Sequence, residues 1–204
     1  MYYRFLLFII LLCSFSVTAQ AKTLLILGDS ISAAYGIPVE QGWVSLLEQR
    51  LLKQGYAYDV VNASISGETT LGAKMRLNDL LEKYQPELVV IELGGNDGLR
   101  GFTLNEIENN FIEMISMIKQ AGCTTLLVPM QLPPNYGATY NRRFASIYER
   151  VSEIMAVAKS KFILQNIAEH SELMQADGIH PVQVAQSMML DNIWQDLRSL
   201  LTKN

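Results

Sequence analysis

Five short apolar runs alternate along the chain with five stretches of helical periodicity, and that alternation restricts the architecture more than any other feature of the sequence. The runs are 24–28, 58–61, 88–93, 124–128 and 162–164. Between them, Trp43, Leu46, Leu47 and Leu51 recur at helical spacing, as do Leu71, Met75, Leu80 and Leu81 within 69–84. Ile107, Phe111, Met114, Ile115 and Ile118 do the same within 104–120, and Gly55, Pro86 and Gly122 end the three patterns. Residues 140–159 and 182–201 read as two further helices, the first with Phe144, Ile147, Tyr148, Val151 and Ile154-Met155 facing inward. Strands followed by helices that return the chain to the same edge predict an α/β fold: a parallel sheet of about five strands with helices on both faces. A sheet covered on both faces also accounts for strands that are uniformly apolar and do not alternate.

With 204 residues, half of them apolar, the chain has material for one substantial core, and residues 22–204 are expected to form a single domain. Residues 1–21 stand apart. Arg4 precedes the apolar run 5–12, and Ala19-Gln20-Ala21 is a small-x-small cleavage signal, so this segment reads as a secretory signal peptide. Its apolar core falls short of the roughly 20 residues a membrane span requires, and bulky Leu12 before Cys13 argues against a lipid anchor. No other stretch is long and apolar enough to be an integral membrane segment. From Lys22 onward, 15 basic side chains stand against 20 acidic ones, because the leader carries Arg4 and no acid. Without a basic stripe to neutralise phosphates, nucleic acid is not an expected partner. Removing Cys13 leaves Cys123 alone, unable to form an internal disulfide; at the start of the run 124–128 it reads as buried and inert.

Four polar turns fall at one end of the expected sheet. They are Gly28-Asp29-Ser30, Ser66-Gly67, Gly94-Gly95-Asn96-Asp97, and Asp177-Gly178-Ile179-His180 before the last helix. Ligands of open α/β sheets bind in the crevice outside the carboxyl ends of the strands, so Ser30 reads as a nucleophile facing that crevice. A serine hydroxyl needs a base to take its proton, and the base needs a carboxylate to hold its tautomer. Of the two histidines, His180 has Asp177 three residues before it in a glycine-bearing turn, whereas His170 reads as a surface or helix-end residue. The backbone N–H groups of Ser30 and Gly67 and the side-chain amide of Asn96 are candidate donors to a tetrahedral oxyanion. Taken singly, Gly67 and Asn96 are ordinary turn residues; the four turns together carry the reading.

In order, Gly28-Asp29-Ser30, Ser66-Gly67-Glu68-Thr69, Gly94-Gly95-Asn96-Asp97 and Asp177-Gly178-Ile179-His180-Pro181 resemble the blocks of the SGNH (GDSL) hydrolase family. The resemblance runs from about Lys22 to the C-terminus. Within the family it extends to the periplasmic acyl hydrolases of Gram-negative bacteria, through 94–102 (GGNDGLRGF), 132–137 (LPPNYG) and 181–186. It implies a flavodoxin-like three-layer α/β/α sandwich, with Ser30 as nucleophile, Asp177 as orienting acid and His180 as general base and then acid. Ser30, Gly67 and Asn96 would form the oxyanion hole. The implied substrates are carboxylic esters and thioesters: fatty acyl esters, acyl-CoA-type thioesters and lysophospholipids, hydrolysed without metal or organic cofactor by a monomer in the periplasm. The chain departs from the pattern at Ala34, where glycine is expected, and at Met130-Gln131, which passes directly to Leu132 where relatives carry extra residues.

Leu99, Phe102, Leu132, Pro133 and Tyr136, with Met130 and Pro134, place apolar side chains on the two loops nearest the site and are the expected lining for an acyl chain. Gly98 and Gly101 would let the first of these loops move. A short-chain carbohydrate acetylesterase would use the same machinery on a smaller acyl group. A flavin-binding module is disfavoured by the charge of Asp29 where a phosphate would meet a helix N-terminus. A metal phosphohydrolase could draw on Asp29, Asp97, Asp177 and His180, but would leave Ser30, Gly67 and Asn96 without a shared role.

Overall fold

The computed structural model describes residues 21–203, so the leader expected at 1–21 lies outside the described residues except for Ala21. Five parallel strands, β1 (Lys22–Gly28), β2 (Tyr58–Asn62), β3 (Leu88–Glu92), β4 (Thr124–Val128) and β5 (Ala158–Lys159), form one sheet in the order β2-β1-β3-β4-β5. Among the described residues six α-helices flank the sheet, the first five between strands and the last after β5: α1 (Trp43–Lys53), α2 (Thr70–Tyr84), α3 (Gly95–Leu99), α4 (Leu104–Gln120), α5 (Ala138–Met155) and α6 (Gln186–Leu200). On one side α1 packs on α6, and on the other α4 packs between α2 and α5, which makes the expected α/β/α sandwich. No helix among the described residues is long and apolar enough to cross a membrane.

The strand sequences follow from this layering. Leu24, Leu25, Ile26 and Leu27 of β1 and Leu88, Val89, Val90 and Ile91 of β3 are fully buried, because helices cover both sheet faces. Helix starts follow local chemistry: the Thr103 hydroxyl accepts from Glu106 N–H while the Glu106 carboxylate reaches back to Thr103 N–H, a reciprocal cap that opens α4.

Four elements differ from expectation. Helix α5 stops at Met155, four residues early, because Ala156 turns left-handed at φ 45°, and Ile154 in its last turn faces solvent where the periodicity places it inward. The last strand is therefore β5, paired through Leu126 and Ala158, and the run 162–164 forms no ladder. Ile163 is fully buried and Leu164 nearly so, which explains their apolar character without strand pairing. Residues 95–99, expected as part of an open turn, form the single helical turn α3, and the closing helix starts at Gln186 after a 3-10 turn at Gln183–Ala185. Ala34 does adopt the left-handed backbone that glycine would favour, at φ 59°. Its methyl is accommodated by Gly42, whose own Cβ would lie 2.8 Å from it.

Gly94 turns the chain from β3 into α3 at φ 99°. A Cβ there would lie 2.5 Å from Tyr148 Oη, a fully buried hydroxyl that donates to the Leu93 carbonyl at 2.8 Å. Gly94→Ala is expected to destabilise the fold by about 2–4 kcal/mol through clash plus strain. Gly101→Ala, at φ 72° with open space around its Cβ, should cost about 1 kcal/mol. Urea midpoints at unchanged m-value measure both.

Candidate active site

The chain leaves β1 for β2 on one side and returns to β3 on the other, so the carboxyl ends of β1 and β3 diverge into a crevice at the topological switch point. Ser30, Gly67, Asn96 and His180 all line one cleft there, of about 860 Å³. The four turns expected to share an end of the sheet do share it.

His180 arrives on a closed hairpin. Met174 and Pro181 form an antiparallel bridge, and the Gln175 N–H donates to the His180 carbonyl at 2.7 Å. The Gln175 side chain donates to the Tyr35 carbonyl at 2.8 Å, tying the hairpin to the loop after Ser30. Within the hairpin, Asp177 Oδ1 accepts from the N–H groups of Ile179 (2.9 Å) and His180 (3.0 Å), the local turn that aspartate favours. Its other oxygen lies 2.7 Å from His180 Nδ1, and His180 Nε2 lies 2.8 Å from Ser30 Oγ. A carboxylate can only accept, so Nδ1 carries the proton and Nε2 faces the serine hydroxyl as acceptor. Burial works against ionisation of Asp177, but the hydrogen bonds from the His180 ring and from the two backbone N–H groups outweigh it and hold its carboxyl down at about 2. The Tyr35 ring packs against the imidazole at a centroid distance of 4.4 Å.

Asp29, 2% exposed, supports the other side of the site. One of its oxygens accepts from Ile31 N–H and the other from the Asn96 side-chain amide, both at 3.0 Å. An amide has two N–H groups, so Asn96 keeps one for the cleft. Burial pushes the Asp29 carboxyl up to about 6, against the pull of the Ile31 N–H, of His180 and of Asn96. Behind it Glu92 is fully buried and accepts from the Ser32 hydroxyl at 2.6 Å; burial, reinforced by Asp29, pushes its carboxyl well above the usual range.

Of the residues expected to line an acyl pocket, Leu99, Leu132 and Pro133 do, together with Met130 and Pro134, whereas Phe102 and Tyr136 stand outside the lining. Tyr136 instead clasps the first loop from outside, donating to the Leu99 carbonyl at 3.1 Å. Tyr35, Phe162, Leu164, Met174 and Ile179 are among the further residues that line the cleft, and the sequence does not mark them as lining. For Phe162 and Leu164 the signal was present as the apolar run 162–164, which reads equally well as a strand.

The acids named for a metal site do not converge. Asp97 is fully buried and accepts from Thr70, Asp29 holds Asn96, and among the described residues no three His, Cys, Asp or Glu side chains gather as metal ligands. His170 is exposed, with Nδ1 3.3 Å from Glu172. Cys123 is buried, and burial pushes its thiol up, away from the reactive thiolate.

Residues 26–185 match the model of the GDSL-like lipase/acylhydrolase family. The chain is 48% identical over 183 residues to the esterase TesA of Pseudomonas aeruginosa, covering 90% of this chain and 91% of that one. It is 40% identical over 183 residues to the thioesterase 1/protease 1/lysophospholipase L1 of Escherichia coli K12, covering 90% and 86%. The crystal structure of TesA superposes with a TM-score of 0.86 at 47% identity, over 88% of this chain and 100% of that one. Similarity of this extent, spread over all four turns and the sheet that carries them, makes the chain a member of the GDSL-like lipase/acylhydrolase family.

Proposed function

We propose that the protein is a serine acyl hydrolase that forms its acyl-enzyme on Ser30, with His180 as base and acid and Asp177 as its orienting partner. The observation that carries this reading is the unbroken contact from Asp177 Oδ2 through the imidazole to Ser30 Oγ, 2.7 Å and 2.8 Å long. Ser30 Oγ attacks the substrate carbonyl carbon as its proton passes to His180 Nε2. The carbonyl oxygen becomes an oxyanion and accepts from the N–H groups of Ser30 and Gly67 and from the free N–H of Asn96. Collapse expels the alcohol or thiol, which leaves with the proton from His180. Water then attacks the acyl-enzyme, giving a proton to His180; Ser30 recovers it and the free acid departs. Every step is closed by these side chains and water, without a metal or organic cofactor.

The apolar wall built by Leu99, Met130, Leu132 and Pro133, in a cleft of about 860 Å³, suits a fatty acyl chain better than an acetyl group. Fatty acyl esters, acyl-CoA-type thioesters and lysophospholipids are the substrate classes we assign, in keeping with the names of the relatives. Tyr136 acts on this pocket from its outer side, by holding the loop that carries Leu99, and Phe102 ends that loop with its backbone N–H donating to the Asp97 carbonyl at 3.0 Å. We further assign residues 1–21 as an export signal whose removal releases a monomer into the periplasm.

Hydrolysis of nitrophenyl esters from acetyl to palmitoyl, with and without chelator, tests the reading. Ser30→Ala should lower kcat by about 10⁴-fold or more at every chain length, with no effect of chelator. An optimum at acetyl would favour the carbohydrate acetylesterase reading, and activity surviving in Ser30→Ala would overturn the mechanism. Asn96→Ala should lower kcat by roughly 10²–10³-fold. Because the Asp177 carboxyl lies below its ordinary value of 3.8, the hydrogen bonds its ionised form accepts stabilise the fold above that pH, a contribution lost as pH falls through about 2. Carboxyl carbon shifts of Asp177 should therefore titrate with a midpoint near 2 in the folded protein, and a midpoint near the ordinary value would contradict the contact.

A further inference from the structure

The two donors that Ser30 does not itself supply come from strands that never touch. Gly67 follows β2 and Asn96 follows β3, and β1 lies between those strands in the sheet. With neighbouring strands about 4.8 Å apart, their ends are separated by about 10 Å, and no ladder hydrogen bond sets the distance from one turn to the other. An oxyanion hole nevertheless needs its donors aimed at one oxygen to within a fraction of an ångström.

A buried polar cluster bridges that gap. Thr70, the first residue of α2, lies three positions after Gly67, and Asp97 directly follows Asn96 in α3. The Thr70 N–H reaches both Asp97 oxygens, at 3.2 and 3.0 Å, and the Thr70 hydroxyl donates to Asp97 Oδ1 at 2.5 Å. The Asn110 amide of α4 donates to the Thr70 hydroxyl at 3.0 Å, and the Lys74 ammonium donates to Asn110 Oδ1 at 2.6 Å. Thr70 and Asp97 are both fully buried. The other direct tie, from Arg100 Nη2 to the Gly67 carbonyl at 2.9 Å, is exposed to water.

We propose that Thr70 and Asp97 are positioning residues, joined across the sheet to set the spacing between the Gly67 and Asn96 oxyanion donors. Neither is within the hydrogen-bonded contact that links Asp177, His180 and Ser30, and the acyl-transfer steps use neither. A carboxylate kept dry at that point has a geometric role: it clamps the start of α2 to α3 in a place where apolar packing would leave both turns free to drift. The clamp acts on the developing oxyanion and not on the resting substrate. Its loss should thus appear in the chemical step.

The proposal rests on the acyl-hydrolase reading of Ser30, and one experiment separates the two. Thr70→Val, Thr70→Ser and Asp97→Asn would be compared with the unaltered protein on nitrophenyl butyrate, with Ser30→Ala alongside. In the same preparations the rate of Ser30 phosphonylation by a nitrophenyl alkylphosphonate would be measured. Thr70→Val keeps the shape and removes the hydroxyl; kcat and the phosphonylation rate should both fall by about 10- to 100-fold with KM within about threefold. Thr70→Ser should recover both rates to within about threefold. Should Thr70→Val fail to fold, the near-isosteric Asp97→Asn carries the test, with the same split of kcat from KM expected. A lowered Tm in either variant with kcat and phosphonylation within threefold of normal would overturn the clamp and leave the cluster a plain helix cap. Activity surviving in Ser30→Ala would instead overturn the underlying reading, whatever Thr70 does.

Discussion

The cleft depends on β1 being hydrogen-bonded along both of its edges. Lys22 to Ile26 pair with β2 and Leu24 to Gly28 pair with β3, so the strand has no free edge, and its four central side chains have no access to water. A strand held on four sides delivers its end to a fixed place. Gly28 leaves the sheet opposite Glu92, and the next two residues, Asp29 and Ser30, open into the crevice created where the flanking connections run in opposite directions. Everything the site brings together reaches Ser30 from elements placed by that strand: Gly67 from beyond β2, Asn96 from beyond β3, and His180 on a hairpin tied back to Tyr35.

Around that point the fold accepts costs that a core built for stability alone would avoid. Asp29, Glu92 and Asp97 are at most 2% exposed, and burial raises the carboxyl of each. Well-packed apolar side chains at such positions commonly give equal or greater stability. All three instead hold turns: Asp29 holds Asn96 and Ile31, Glu92 holds Ser32, and Asp97 holds the start of α2. Stability is exchanged for geometry within a few residues of the serine, the trade expected where several turns must hold one arrangement.

Legibility followed the punctuation of the sequence. Helix α4 and strand β4 have the bounds 104–120 and 124–128 expected from their periodicity and from Gly122, because local signals and tertiary demands agree there. The turns of the site are legible because Gly28 and Gly94 end apolar runs ahead of polar residues, and because Gly67 and Gly178 sit directly beside Ser66 and Asp177 in short polar stretches. The last strand lies at Ala158–Lys159 and not at 162–164 because Phe162, Ile163 and Leu164 are apolar for a different reason: they pack under and beside the cleft, and a three-residue run has no periodicity to show the difference. For Phe102 and Tyr136 loop membership is the sequence's whole argument for lining, and a loop's sequence does not say which of its sides faces inward.

Spacing along the chain is enough to fix the α/β alternation, the parallel sheet, the four chemistry-bearing turns and the pairing of Asp177 with His180. Packing in three dimensions set what lies across the chain. It brought Nε2 of His180 to 2.8 Å from a serine 150 residues away, turned Asn96 onto Asp29, and joined Thr70 to Asp97 over an intervening strand. The physical reason is range. Periodicity, caps and turn propensities act over a few residues, while the direction of a side chain into a shared cleft is set by the packing of layers whose members are distant in sequence.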